Sequence, residues 1–168
     1  MTTLKIASIV ALAFALGACT SADRFGAGSG NGAFGAGGGV GSVDDPSSPA
    51  YFNAAIGDRV LFAVNEHTLT LAAQATLDGQ AQWLMANPAY SALIEGHADE
   101  QGTQDYNLAL GERRASAAQN YLISKGVAPG RLSIITYGKL RPIEICSDEA
   151  CYSQNRRAVT VITAGAGV

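Results

Sequence analysis

From Arg59 onward the hydrophobic pattern keeps changing period, and this alternation constrains the fold more than any single residue does. Arg59-Val60-Leu61-Phe62-Ala63-Val64 is a short β-branched and aromatic run that reads as a strand. Ala73, Leu77, Ala81 and Leu84 then recur at helical spacing, and Asn87-Pro88 stops that helix. Ser91–His97 reads as a second strand, Ala98–Thr103 as a polar turn, and roughly Gln104–Lys125 as a long helix closed by Gly126. Leu132–Tyr137 gives a third strand. A loop carrying Pro142 and two cysteines leads through a short helical turn near Asp148–Tyr152 to a final strand, Ala158–Thr163. The order β-α-β-α-β-(α)-β predicts an α+β sandwich, a mixed sheet covered on one face by two long helices. The changing period excludes a coiled coil or β-helix, and strand order stays open.

The segment before this domain has a different composition. Ile6–Ala18 is uncharged and too short for the ~20 residues of a spanning helix, so residues 1–18 read as a signal peptide. Leu16-Gly17-Ala18 places small side chains immediately before Cys19, an order that resembles the lipobox of bacterial lipoproteins and implies acylation of Cys19. The alternative is an ordinary secretory signal with a chance cysteine. From Thr20 to Gly41 nine of twenty-two residues are glycine, followed by Asp44-Asp45-Pro46-Ser47-Ser48-Pro49. Residues 19–50 therefore predict a flexible tether, with a typical end-to-end distance of about 30 Å for ~30 residues, and residues 51–168 the folded domain.

Charge and cysteine count narrow the setting. Removing residues 1–18 takes one lysine and moves the formal net charge from -3 to about -4, which does not suit a nucleic-acid partner. With Cys19 assigned to lipid, Cys146 and Cys151 remain, with four residues between them. They fit a local disulfide in an oxidising periplasm, or else two free thiols.

The long helix carries adjacent arginines that cannot share a face at about 100° per residue. With Leu110 at zero, Ala115, Ala118, Tyr121 and Leu122 fall between about 20° and about 140°, Arg114 at about 40° and Asn107 at about 60°. Arg113 falls at about 300°, on the polar side with Glu112, Ser116, Gln119 and Asn120. A guanidinium on the apolar stripe needs partners, because arginine does not escape burial by losing its proton. Asp99, just past the second strand and before the helix, is the expected partner for Arg114. Such a pair is either a structural staple or a socket for a zwitterion, each charge binding its opposite and the arginine doing so through two parallel bonds. Crevices outside strand C-termini favour the socket. Meso-diaminopimelate in peptidoglycan stems, with ammonium and carboxylate on one carbon, has the complementary shape.

These residues also carry a resemblance. Ile94-Glu-Gly-His-Ala-Asp-Glu-Gln-Gly-Thr-Gln-Asp-Tyr-Asn-Leu-Ala-Leu-Gly-Glu-Arg-Arg-Ala115, with Tyr137-Gly138-Lys139 and Asn155-Arg156-Arg157-Ala158, resembles the peptidoglycan-associated lipoproteins with the OmpA-like C-terminal domain over roughly residues 55–163. The resemblance implies that Asp99 and Arg114 hold diaminopimelate and that Phe62, Asn65, Asn107 and Leu110 line the groove. It implies a basic residue near the site at Arg156, with adjacent Arg157 as the alternative. It further implies an outer-membrane lipid anchor, with Thr20 after the cysteine similar to proteins sorted there. The implied partners are peptidoglycan and the periplasmic propeller protein of the Tol system, and the implied role is inward traction on the outer membrane at division.

Two rivals remain. Glu95, His97 and Asp99 invite a metal-enzyme reading, but no His-x-x-x-His pair, nucleophile elbow or Cys/His pair accompanies them, so no catalysis, metal or cofactor is expected. The other rival is a scaffold that binds only protein. Trp83, Tyr106 and Tyr121 read as packing residues, Trp83 at the flank of its helix and partly exposed.

Overall fold

A computed structural model describes residues 41–164; the predicted signal peptide, Cys19 and most of the predicted tether lie outside them. The elements are α1 (Pro49–Tyr51), a π-helical turn (Phe52–Gly57), β1 (Arg59–Leu61), α2 (Leu71–Ala86), β2 (Tyr90–His97), α3 (Gln104–Ser124), a 3-10 turn (Pro129–Arg131), β3 (Leu132–Gly138), α4 (Glu149–Asn155) and β4 (Arg157–Ala164). The strands form one sheet in the order β1-β4-β2-β3, with β4 antiparallel to β1 and β2 and β2 parallel to β3. This is the mixed sheet that the alternating period predicts, with four helices around it.

Local chemistry sets the helix ends. Thr70, Thr103 and Asp148 each accept a backbone N–H of the following first turn, the N-cap arrangement. Asn87 caps the end of α2 through its amide to Trp83 O, and Gly126, with φ of 104°, terminates the α3 segment. Ala73, Leu77, Ala81 and Leu84 are all buried, as their spacing requires, and meet Ala115, Ala118 and Leu122 of α3 over Val60, Ala92, Ile94, Ala158 and Ile162 of the sheet. The buried Gln80 amide is satisfied on both ends, donating to Gly57 O and accepting from Thr160 Oγ1 at 2.7 Å each.

Three expectations shift. The first strand is predicted to run to Val64 and stops at Leu61, because beyond it the chain turns its carbonyls toward Arg114 and Asn65 adopts a left-handed φ of 57°. Folding begins before residue 51: Ser48, Pro49 and Ala50 are buried, and the Trp83 indole donates to Pro46 O at 2.7 Å. Trp83 is consequently buried rather than partly exposed, with Phe52 at 4.9 Å and Tyr90 at 5.4 Å between ring centres.

One close approach positions the site. A Cβ on Gly96 of β2 would lie 1.8 Å from Gly111 O of α3, so only paired glycines let this helix rest on the strand backbone. That contact brings Arg114 to the end of β2.

Candidate ligand site

The site gathers at the C-terminal end of β2, where the Asp99–Thr103 turn, the first turns of α3, the Phe62–Glu66 segment and the α4–β4 junction meet. Arg114 is completely buried there, on the stripe that helix geometry assigns to it, while Arg113 is exposed. Its predicted carboxylate partner is a misreading in one respect. Nε donates to Glu66 O at 2.8 Å, Nη1 to His97 O at 2.9 Å and Nη2 to Ala63 O at 3.1 Å, so three backbone carbonyls, not Asp99, satisfy the guanidinium. The Phe62 ring lies beneath it, 5.3 Å from Cζ. Burial pulls the Arg114 pKa down to about 10, opposed by the nearby Asp99 charge and reinforced by Arg156, which leaves the group cationic at neutral pH.

Asp99 instead meets Arg156. Its Oδ2 accepts from Arg156 Nη1 at 3.2 Å and its Oδ1 from Gln101 N at 3.1 Å. Arg156 also donates through Nε to Phe62 O at 3.1 Å and through both terminal nitrogens to the Glu149 carboxylate. Those two carboxylates raise its pKa, Glu149 foremost and against the cost of burial. Of the two adjacent arginines, Arg156 is the one that contacts Asp99, while Arg157 donates to Asn155 O and Arg141 O.

The remaining predicted residues fall around this centre. Asn107 is buried and donates to Gln101 O at 2.8 Å, which ties α3 to the turn that carries Asp99. Leu110 and Phe62 are buried, whereas Asn65 is exposed and accepts from Tyr106 Oη at 3.5 Å. Tyr106, read from sequence as packing, is 43% exposed and belongs to this rim. His97 contributes its carbonyl; its ring is buried, 5.6 Å from the Tyr137 ring between centres, and its Nε2 stands 3.6 Å from Glu95.

Sequence reasoning missed the outer wall. Glu100 accepts from Ser147 Oγ at 2.7 Å and Tyr152 Oη at 2.8 Å, and Glu149 holds Arg156. An acidic first turn on the predicted helical turn near residue 148 was visible; nothing local names its distant partner. Cys146 and Cys151 are joined as a disulfide, with Cα atoms 5.7 Å apart. They form with Asp148 the one grouping of metal-type ligands among the described residues, and as a disulfide they offer no thiolate.

Residues 61–156 match the OmpA family. The chain is 53% identical over 122 residues to the peptidoglycan-associated lipoprotein of Rhizobium meliloti, a match covering 73% of this chain and 69% of that one. It belongs to the peptidoglycan-associated lipoproteins of the OmpA family. The lipoprotein of this name from Haemophilus influenzae is 38% identical over 145 residues, covering 86% of this chain and 88% of its own. Among solved structures, the peptidoglycan-associated lipoprotein of Burkholderia pseudomallei superimposes with a TM-score of 0.64 at 36% identity, over 72% of this chain and 98% of that one. The C-terminal domain of Helicobacter pylori MotB shares the fold at a TM-score of 0.60 and 20% identity, over 65% of this chain and 86% of that one.

Proposed function

We propose that this lipoprotein binds peptidoglycan without altering it, holding the diaminopimelate of stem peptides at Asp99 and Arg114. The observation that supports this most is an imbalance of charge. Asp99 shares Arg156 with Glu149, whereas Arg114 has only carbonyl dipoles as direct partners and commits three of its five N–H groups to them. A zwitterion answers both halves: its ammonium goes to Asp99 and its carboxylate to the uncancelled positive potential of Arg114 beneath the Ala63–Glu66 segment. Phe62, Asn65, Asn107 and Leu110 shape the groove around its aliphatic stem, and Arg156 orients Asp99.

Membership of the family supports a larger setting for this site. Residues 1–18 direct export, Cys19 carries acyl chains that hold the protein on the outer membrane, and the tether lets residues 51–168 with their short N-terminal extension reach the cell wall. The protein thereby links outer membrane to wall and works with the Tol propeller protein in envelope integrity and division. No step of this role breaks or forms a bond, so the protein acts as a binding module rather than an enzyme.

Co-sedimentation of the purified chain with isolated sacculi tests the site. Asp99→Asn, which keeps the shape of the side chain, should leave most protein in the supernatant, with affinity down by at least about thirtyfold, while circular dichroism stays native. An Asp99→Asn protein that pellets like wild type would move the binding surface elsewhere and favour a protein-only scaffold.

A further inference from the structure

The disulfide ring has no role in the ligand contacts described so far, yet residues inside it reach the centre of the site. Cys146 and Cys151 enclose Ser147, Asp148, Glu149 and Ala150, and two of these reach the binding turn: Ser147 donates to Glu100, and Glu149 grips the arginine that holds Asp99. Apolar burial does not place them, since no residue from Leu140 to Ala150 is buried. Helix α4 has seven residues, too few to be stable by itself, and begins inside the ring. Polar contacts and the covalent bridge hold this wall instead: the Asp148 cap, the Asn155 side chain on Ile143 N, Glu144 N and Glu144 O, Arg157 on Arg141 O, Arg141 over the Tyr137 ring, and Tyr152 on Glu100.

What Glu149 does there depends on the shape of a guanidinium. Arg156 presents a two-pronged edge that matches one carboxylate bidentately. Glu149 occupies that edge through Nη1 and Nη2, and Asp99 receives only a single contact, from Nη1 at 3.2 Å. If Glu149 were absent, the same edge would be free to turn onto both oxygens of Asp99 and cancel the charge that a ligand ammonium needs.

We propose that Glu149, held in register by the Cys146–Cys151 ring, is a positioning residue that keeps Asp99 available by engaging the bidentate edge of Arg156. The proposal rests on the reading of Asp99 as the ammonium-binding carboxylate. Its signature is rescue: Arg156→Lys keeps one contact that orients Asp99 but has no fork, so it cannot engage both Asp99 oxygens and leaves one face of the carboxylate to a ligand ammonium, whether or not Glu149 is present.

The test is calorimetric titration of the full chain in detergent micelles with L-alanyl-γ-D-glutamyl-meso-diaminopimelate, with circular dichroism on each variant. Glu149→Gln should weaken binding about tenfold, and Glu149→Gln with Arg156→Lys should recover most of that loss. The pair Cys146→Ser and Cys151→Ser should weaken binding by itself and add little to Glu149→Gln, because both act through one contact. Wild-type affinity in Glu149→Gln alongside lost affinity in Asp99→Asn would overturn the proposal and leave the ligand reading intact. A Glu149→Gln loss that Arg156→Lys does not restore would also overturn it, since Glu149 would then touch ligand or merely support the fold. Full affinity in Asp99→Asn would overturn both readings.

Discussion

The two walls of the site each use an arginine, and they use it in opposite ways. On the inner wall, Arg114 is wholly buried and grips the backbone of Ala63, Glu66 and His97, so the wall follows the core and the positive charge meets no direct counter-ion. On the outer wall, Arg156 is shared between two carboxylates, one of them the Glu149 side chain that is 66% exposed. Carbonyl dipoles satisfy hydrogen bonds without cancelling charge, whereas carboxylates do both. The inner wall is thus rigid and cationic, the outer wall net anionic and adjustable.

The sharpest way to break this contrast is to remove each grip in turn. Arg114→Met keeps much of the side-chain volume but withdraws three donors. The carbonyls of Ala63 and Glu66 can turn to water, while that of buried His97 cannot, so the domain should lose about 3 kcal/mol in urea unfolding at pH 7. Glu149→Gln should leave the urea midpoint close to wild type, because the Glu149 side chain is exposed and buried Arg156 keeps Asp99 as its counter-ion. Similar losses in the two variants would mean that the outer wall is as much part of the core as the inner one.

The inner wall was largely legible in the sequence and the outer wall was not, and the physical reason is the range of the interactions. Arg114 could be placed on the apolar stripe because helix periodicity is local, and Asp99 could be placed beside it because a short turn connects strand to helix. The same reasoning failed on the identity of the partner, since backbone carbonyls 48 and 51 residues away leave no side-chain signal. The early end of β1 has the same cause: Val64 and its neighbours have strand-like side chains, but tertiary demand on their carbonyls overrides that preference. Arg156, Glu149 and Asp99 come from segments 7 and 57 residues apart, and only the family resemblance pointed to the first of them.

Acid should separate the walls by a smaller effect. Burial drives the His97 pKa from 6.5 to about 4, reinforced by the positive charges of Arg157 and Arg141, with Glu95 and Tyr137 also facing the ring. Its folded pKa lies below its unfolded one, so the stability linked to neutral His97 is complete above pH 6.5 and drains as pH falls toward about 4. The Glu149 pKa is also depressed, by its hydrogen bond to Arg156, so the outer-wall pair should resist acid better than an ordinary glutamate would. Urea unfolding from pH 7 to pH 4 should therefore show declining stability in wild type and a flatter profile in His97→Gln. An unchanged slope in that variant would assign the acid sensitivity to the outer wall.

The smallest effect concerns the bridge, and it divides stability from local order. A ring enclosing so few residues removes less freedom from the unfolded chain than a long loop would, so Cys146→Ser with Cys151→Ser should lower global stability by at most about 2 kcal/mol. The Asn155 clasp and the Asp148 cap remain, and they keep α4 attached while its first turn loosens. Amide hydrogen exchange should therefore quicken at residues 147–151, while the inner-wall amides of Phe62 and Glu66, bonded to Arg156 O and Ala63 O, keep their protection. If exchange quickens on both walls, Arg156 transmits the loosening across the site through its contact with Phe62 O, and the inner wall draws its order from the outer one.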